Sequence, residues 1–270
     1  MAVQRLEVSG DNFSPKNFVT LTVYSSHLNG RADVSVYREE TNAKDLPIVV
    51  LLHGVYGSHW VWSQLGGVHD VYETLRKAGL PECILVMPSD GGHQEGSGYL
   101  PLENANYEKW VVEDVVDAVI QTQPQCSSRS SKYITGLSMG GYGAMRLGAK
   151  YPSVFSGISA HSSITKLDDF VHFVCEKTLE PMRNNSDEFN GDVFDTLCAQ
   201  KEQLPPLRID CGKDDVLFDA NLTLVDKLEK TGVSFSFDSF PGEHAWEYWH
   251  EHVAKSLQFF ADIEAKKLPK

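Results

Sequence analysis

KYITGLSMGGYGA, running from Lys132 to Ala144, is the stretch that decides the fold. Lys132 to Thr135 reads as a short strand and Gly141 to Tyr151 as a helix, with Gly136-Leu137-Ser138-Met139-Gly140 between them. That is G-x-S-x-G in a strand-turn-helix context. A serine on so tight a turn needs small neighbours, and the flanking glycines let strand and helix approach while the hydroxyl projects from the top of the sheet. Gly141 and Gly143 carry the crowding into the first helical turn. The helix start also aims backbone N–H groups at any oxyanion formed there. Ser138 therefore reads as a nucleophile rather than a packing turn.

Working outward, Leu46 to Leu52 is a continuous apolar run ending at His53-Gly54. A strand apolar on both faces belongs in the middle of a parallel sheet covered by helices. Ile84 to Met87, closed by Pro88, repeats the pattern. Further strands are predicted at Phe18 to Tyr24, Arg31 to Tyr37, Gly157 to Ala160, Leu207 to Cys211 and Ser234 to Phe240. In Tyr107 to Thr122, Val112, Val115, Val116, Val119 and Ile120 recur at helical spacing, with Glu113, Asp114 and Asp117 on the other side. Ala220 to Thr231 and Ala245 to Ala261 are further helices, the last with Trp246, Trp249, Val253, Leu257 and Phe260 on one face. Alternating strands and helices give an α/β sandwich on a mostly parallel sheet. With no repeat or linker, residues 1–270 read as a single domain. The irregular stretch at about 162–206 reads as a lid-like insertion with short helices.

Composition narrows the function. The chain of 270 residues is 41% hydrophobic and 23% charged, which excludes a disordered chain or a coiled coil. Its 37 acidic against 24 basic residues give a net charge of −13, so a phosphate backbone is repelled and nucleic acid is an unsuitable partner. No apolar run is long enough to span a membrane, and MAVQRLEVSGDNF lacks a signal-like stretch, so a cytoplasmic protein without a membrane partner is expected. Cys83, Cys126, Cys175, Cys198 and Cys211 form neither a CxxC pair nor a zinc spacing, and no metal is expected.

A serine nucleophile needs a base. His244 follows the last strand and Pro241-Gly242-Glu243, immediately before the final helix, and enzymes with this turn run Ser, acid, His along the chain. His250 and His252 lie within that helix and read as solvated. The acid belongs on the loop after Leu207 to Cys211, where Asp214 and Asp215 are adjacent; Asp215 is the choice and Asp214 a turn or cap residue. The loop after the early central strand, His53-Gly54-Val55-Tyr56-Gly57, offers an N–H from Gly54 or Val55 to join that of Met139 in an oxyanion hole. His53 reads as a loop anchor. Trp60, Trp62, Tyr99 and Trp246 are candidates to shape a substrate pocket, and the loop from Asp90 to Leu100 is expected to border it.

Taken together, LLHG at Leu51 to Gly54, GLSMGGYGA at Gly136 to Ala144, CGKDD at Cys211 to Asp215 and PGEHAWEYW at Pro241 to Trp249 resemble the esterase D family of α/β-hydrolases. The resemblance runs in order from about Leu46 to Phe260. It implies an α/β-hydrolase fold with the triad Ser138, Asp215 and His244, the acid being the fourth residue of the family's G-x-x-D. It implies a cofactor-independent serine carboxylesterase acting on a small-molecule ester, of the short-chain kind. The family's formylglutathione hydrolases carry a Ser-Gly pair and a nearby cysteine where this chain has His53-Gly54-Val55-Tyr56, which argues against that branch. S-formylglutathione hydrolase, feruloyl or acetylxylan esterase, acyltransferase and a catalytically silent ligand-binding relative are the alternatives. A homo-oligomer is compatible with the sequence.

Overall fold

The computed structural model describes residues 2–267. The chain opens with β1 (Val3–Val8), β2 (Phe18–Ser25) and β3 (Gly30–Tyr37), which pair antiparallel. Next come β4 (Ile48–Leu52), the short α1 (Val61–Gln64), α2 (Val68–Lys77) and β5 (Ile84–Pro88). A helical segment begins as α3 (Tyr107–Lys109), widens through a π turn (Trp110–Val115) and continues as α4 (Val116–Thr122). After it stand β6 (Lys132–Leu137), α5 (Met139–Lys150) and β7 (Phe155–His161). The segment from Ser162 to Pro206 holds a 3-10 turn (Leu167–His172), α6 (Glu176–Arg183) and α7 (Val193–Ala199). The chain ends with β8 (Leu207–Gly212), α8 (Phe218–Thr231), β9 (Ser236–Phe240) and α9 (Trp246–Lys267).

All of these strands join one sheet in the order β1-β2-β3-β5-β4-β6-β7-β8-β9. From β5 to β9 the pairing is parallel, and β3 meets β5 antiparallel. Every residue of β4 is buried, and its side chains alternate between two cores. Ile48, Val50 and Leu52 join the core under the α5 and α8 side, whereas Val49 and Leu51 face Trp62, Tyr72, Trp249 and Phe260 from α1, α2 and α9. Period-two burial on both faces is why this run carries no polar residue. Each such aliphatic side chain contributes about 1.5–3 kcal/mol on burial.

Two expectations from the sequence are corrected here. Asp114 does not lie on the solvated side of its helix: it is fully buried, hydrogen-bonded by Ser25, with His27 Nδ1 3.2 Å away. The π turn adds a residue to the turn and rotates the residues downstream of it, so a strict 3.6-residue period misplaces Asp114. His252 is also buried rather than solvated, its ring stacked 4.4 Å from that of Phe240.

Two polar networks tie the helices to the sheet. Arg146 of α5 is fully buried, its guanidinium 2.8 Å from Asp187 in the segment between β7 and β8 and 3.4 Å from Glu108. Lys150 joins both carboxylates, and Tyr142 donates to the Gly191 carbonyl at 2.5 Å. Burial works against the Asp187 carboxylate, but the Arg146 charge and the Lys150 hydrogen bond bring its pKa down to about 2. On the other side of the sheet, His161 Nδ1 is 2.8 Å from Asp210 and Nε2 is 2.7 Å from the Ser256 hydroxyl. Arg208 also pairs with Asp210, and Tyr248 donates to it at 2.8 Å. Against burial, the His161 and Arg208 partners hold Asp210 at about 2.

Candidate active site

The site lies at the carboxyl ends of β4, β6, β8 and β9, where open α/β sheets gather ligand-binding loops. β6 leads straight into Ser138, whose backbone takes φ +54° and ψ −119° before α5 begins. An L-residue reaches that region only at a cost of order 1–3 kcal/mol. Neighbouring contacts hold it there: the Ser138 N–H donates to the His161 carbonyl at 3.0 Å, and its own carbonyl accepts from Tyr142 and Ile164. The flanking glycines are obligatory. A Cβ on Gly136 would collide with the Gly140 carbonyl, and one on Gly140 with the Leu52 carbonyl. Strand, turn and helix are thereby closed to backbone contact with β4.

His244 sits on the loop between β9 and α9. Its Nε2 is 3.0 Å from Ser138 Oγ, and its Nδ1 is 2.9 Å from Asp215 Oδ2. Asp215, on the loop after β8, has a fully buried carboxylate that also accepts the Leu217 N–H at 2.8 Å. Nδ1–H thus donates to Asp215, leaving Nε2 as the lone-pair acceptor for the serine hydroxyl. The imidazole keeps 17% exposure of its side chain, whereas Ser138 is 2% exposed. Asp214 points elsewhere and staples the two loops: its N–H donates to the Gly242 carbonyl at 3.0 Å, and its carboxylate accepts the Gly242 N–H at 3.4 Å.

Gly54 lies against Ser138, where a Cβ would stand 3.3 Å from the serine Cβ. Among the described residues, the backbone N–H groups of Gly54, Val55 and Met139 have no protein acceptor, which leaves them free for an external oxygen. His53 anchors this loop: its Nε2 accepts the Asp90 N–H at 2.9 Å, so Nδ1 carries the proton and donates to the Gly54 carbonyl at 2.6 Å. Asp90 in turn receives the N–H groups of Gly92 and Ser97 and so shapes the bordering loop.

The aromatic candidates fare differently. Trp62 is 1% exposed, with its indole N–H on the Leu52 carbonyl, so it is a core residue and not a pocket wall. Tyr99 is wholly buried and donates to the His53 carbonyl at 3.0 Å, propping the oxyanion loop from beneath. Trp246 packs edge-on against Trp62 and Trp249 and lines a separate groove of about 670 Å³ between α2 and α9 that contains none of Ser138, Asp215 or His244. Trp60 is exposed at the start of α1, and none of its described hydrogen bonds or ring contacts reaches those three residues.

The structure supplies further neighbours whose contacts no motif announced. Phe173, just past the 3-10 turn, stacks on His244 with ring centroids 5.1 Å apart at 30°. Trp249 meets the same imidazole edge-on at 4.9 Å. The Tyr56 hydroxyl donates to the Phe173 carbonyl at 2.6 Å, and the Tyr56 N–H to the Glu95 carbonyl at 2.8 Å. Glu95 accepts the Cys175 N–H at 2.7 Å and the Thr178 hydroxyl at 2.8 Å, and these bonds hold its carboxyl below the ordinary glutamate range. Among the described residues, no group of three or more His, Cys, Asp or Glu is placed to hold a metal ion.

A parallel-centred sheet with helices on both faces and a serine on a strained strand-to-helix turn defines an α/β-hydrolase. Comparison with known proteins sharpens the class. The family described as "Putative esterase" matches residues 25–260, and the chain belongs to that esterase family, making it a carboxylic ester hydrolase. A curated acetyl esterase from Caldicellulosiruptor saccharolyticus is 25% identical over 248 residues, spanning 84% of this chain and 88% of its own. Among solved structures, a ferulic acid esterase aligns with TM-score 0.77 at 26% identity, over 96% of this chain and 99% of that one. The Staphylococcus aureus S-formylglutathione hydrolase FrmB shares the fold with TM-score 0.78 at 21% identity, over 94% and 99% of the two chains.

Proposed function

We propose that the chain hydrolyses short-chain acyl esters through a covalent acyl intermediate on Ser138. The continuous hydrogen-bonded line Ser138–His244–Asp215, opening beside backbone N–H groups that have no protein acceptor, carries this reading. Ser138 Oγ attacks the ester carbonyl while His244 Nε2 takes its proton. The carbonyl oxygen becomes the oxyanion and receives the N–H of Gly54 or Val55 together with that of Met139. His244, its charge balanced by Asp215, then donates the proton to the departing alkoxide, and the alcohol leaves the acyl group on Ser138. A water deprotonated by the same Nε2 attacks the acyl-serine, and collapse returns the serine hydroxyl and a free carboxylic acid. None of these steps draws on a cofactor.

The acetyl esterase relative supports a small acyl group. We further propose a cytoplasmic location, which five free cysteines, with Cys83, Cys126 and Cys211 buried, support by suiting a reducing compartment. The test is a p-nitrophenyl ester series from acetate to decanoate with wild type and Ser138→Ala. The rate should peak between acetate and butyrate and fall by at least about 10⁴-fold in the variant. Turnover that survives in Ser138→Ala overturns the nucleophile, and a maximum at decanoate overturns the acyl preference.

A further inference from the structure

We propose that Phe173 is the wall of the leaving-alcohol subsite, selecting esters of flat, aryl-bearing alcohols over those of small alkyl alcohols. The inference rests on the hydrolase reading above. A general acid must stand within hydrogen-bond reach of the atom it protonates, so the leaving oxygen lies beside His244 Nε2. Whatever that oxygen carries must pass next to the imidazole. The Trp249 indole meets the imidazole nearly at right angles with centroids 4.9 Å apart, and the Phe173 ring stacks on it at 5.1 Å. Phe173 is only half-buried, which leaves part of its ring available to a ligand. An aromatic face beside the leaving group rewards a second planar ring through offset or edge contacts, and does little for a methyl or ethyl group.

The position of this wall is set by a clasp. Tyr56 follows Val55 directly, and its hydroxyl holds the Phe173 carbonyl while its N–H holds Glu95. The Glu95 carboxylate then grips the chain just beyond Phe173, at the Cys175 N–H and the Thr178 hydroxyl. The ring is thereby referenced to the oxyanion loop on one side and to His244 on the other. Tyr56 takes φ +60° to make this reach. For a non-glycine residue that conformation persists only where surrounding contacts over-determine it. Phe173 and Tyr56 are specificity and positioning residues in this scheme; neither moves a proton of the reaction.

The experiment separates the two sides of the ester. With the acyl group kept as acetate, kcat/KM is measured for benzyl, phenethyl, butyl and ethyl acetates. With the alcohol kept as ethanol, it is measured for acetate, butyrate and hexanoate. Wild type, Phe173→Ala, Phe173→Leu and Tyr56→Phe are compared. Phe173→Leu keeps apolar volume, and Tyr56→Phe removes one oxygen from an exposed side chain, so neither change threatens the fold. The benzyl-to-ethyl preference should fall about three- to tenfold in both Phe173 variants, the scale of one aromatic contact, and by less in Tyr56→Phe, while the acyl-length profile keeps its shape. An acyl-length profile that shifts while the alcohol preference stays put overturns the assignment, as does an alcohol preference that both Phe173 variants retain. Absence of Ser138-dependent turnover in wild type would instead overturn the hydrolase reading itself.

Discussion

Asp215 and Asp214 are neighbours in the chain with opposite duties, and substitution separates them. Asp215→Asn keeps the shape of the loop but offers His244 Nδ1 an amide, which can hold the wrong tautomer. We expect kcat to drop by about 10³–10⁴ with an unchanged circular dichroism spectrum. Asp214→Asn loosens only the link to Gly242 and should cost less than about tenfold; a larger loss there would exchange the two roles. Residues of this kind were legible in the sequence because each follows a strand end in fixed order and is announced by glycines that the backbone needs. Phe173, Tyr56 and Glu95 were not, since their meeting joins three loops far apart in the chain and leaves no spacing to read. Trp62 misled for a related reason: an aromatic on a loop near the site looks the same in sequence whether it faces substrate or caps a strand end from inside the core.

At the level of elements, most strands and several helices follow from apolar periodicity, with boundaries shifted by a residue or two except at the last helix, which runs to Lys267 rather than Ala261. The π turn escaped because it breaks the very period used to find helices, and β1 escaped because an exposed edge strand has little apolar pattern. The elbow depends on contact between elements, so Gly140→Ala, which would drive a methyl into the Leu52 carbonyl, should lower the melting temperature and the soluble yield together. A variant as stable as wild type would show that β4 and α5 can separate. The segment between β7 and β8 is fastened to α5 through Asp187, and Asp187→Asn leaves the buried Arg146 without its closest carboxylate. A loss of about 3–5 kcal/mol in urea unfolding is expected, as for a buried pair deprived of one partner.

Over the whole molecule, Asp187 and Asp210, the carboxylates brought down to about 2, weigh most in acid. Both fall from an ordinary 3.8 to about 2 on folding. Depressed carboxylates contribute stability above their unfolded pKa and lose it as pH falls through the folded one. Unfolding free energy should therefore hold down to about pH 4 and decline steadily towards pH 2, with a shallower decline in Asp187→Asn; equal slopes would remove Asp187 from the account. Asp210 has a further consequence. With His161 and Ser256 it repeats, in the sealed interior, the residue types and nearly the spacings of the active trio. Distance alone would nominate two reagents in this chain, although His161 Nδ1 makes no aligned hydrogen bond to Asp210 as His244 Nδ1 does to Asp215. Ser256 has no route to a ligand and shares its hydroxyl with Ser159, whereas Ser138 opens beside donors left without partners. A fluorophosphonate should accordingly add once per chain, at Ser138, and peptide mapping that finds an adduct on Ser256 would refute this. The same three side chains act as a bolt in one place and a tool in the other, and the difference lies in what surrounds them.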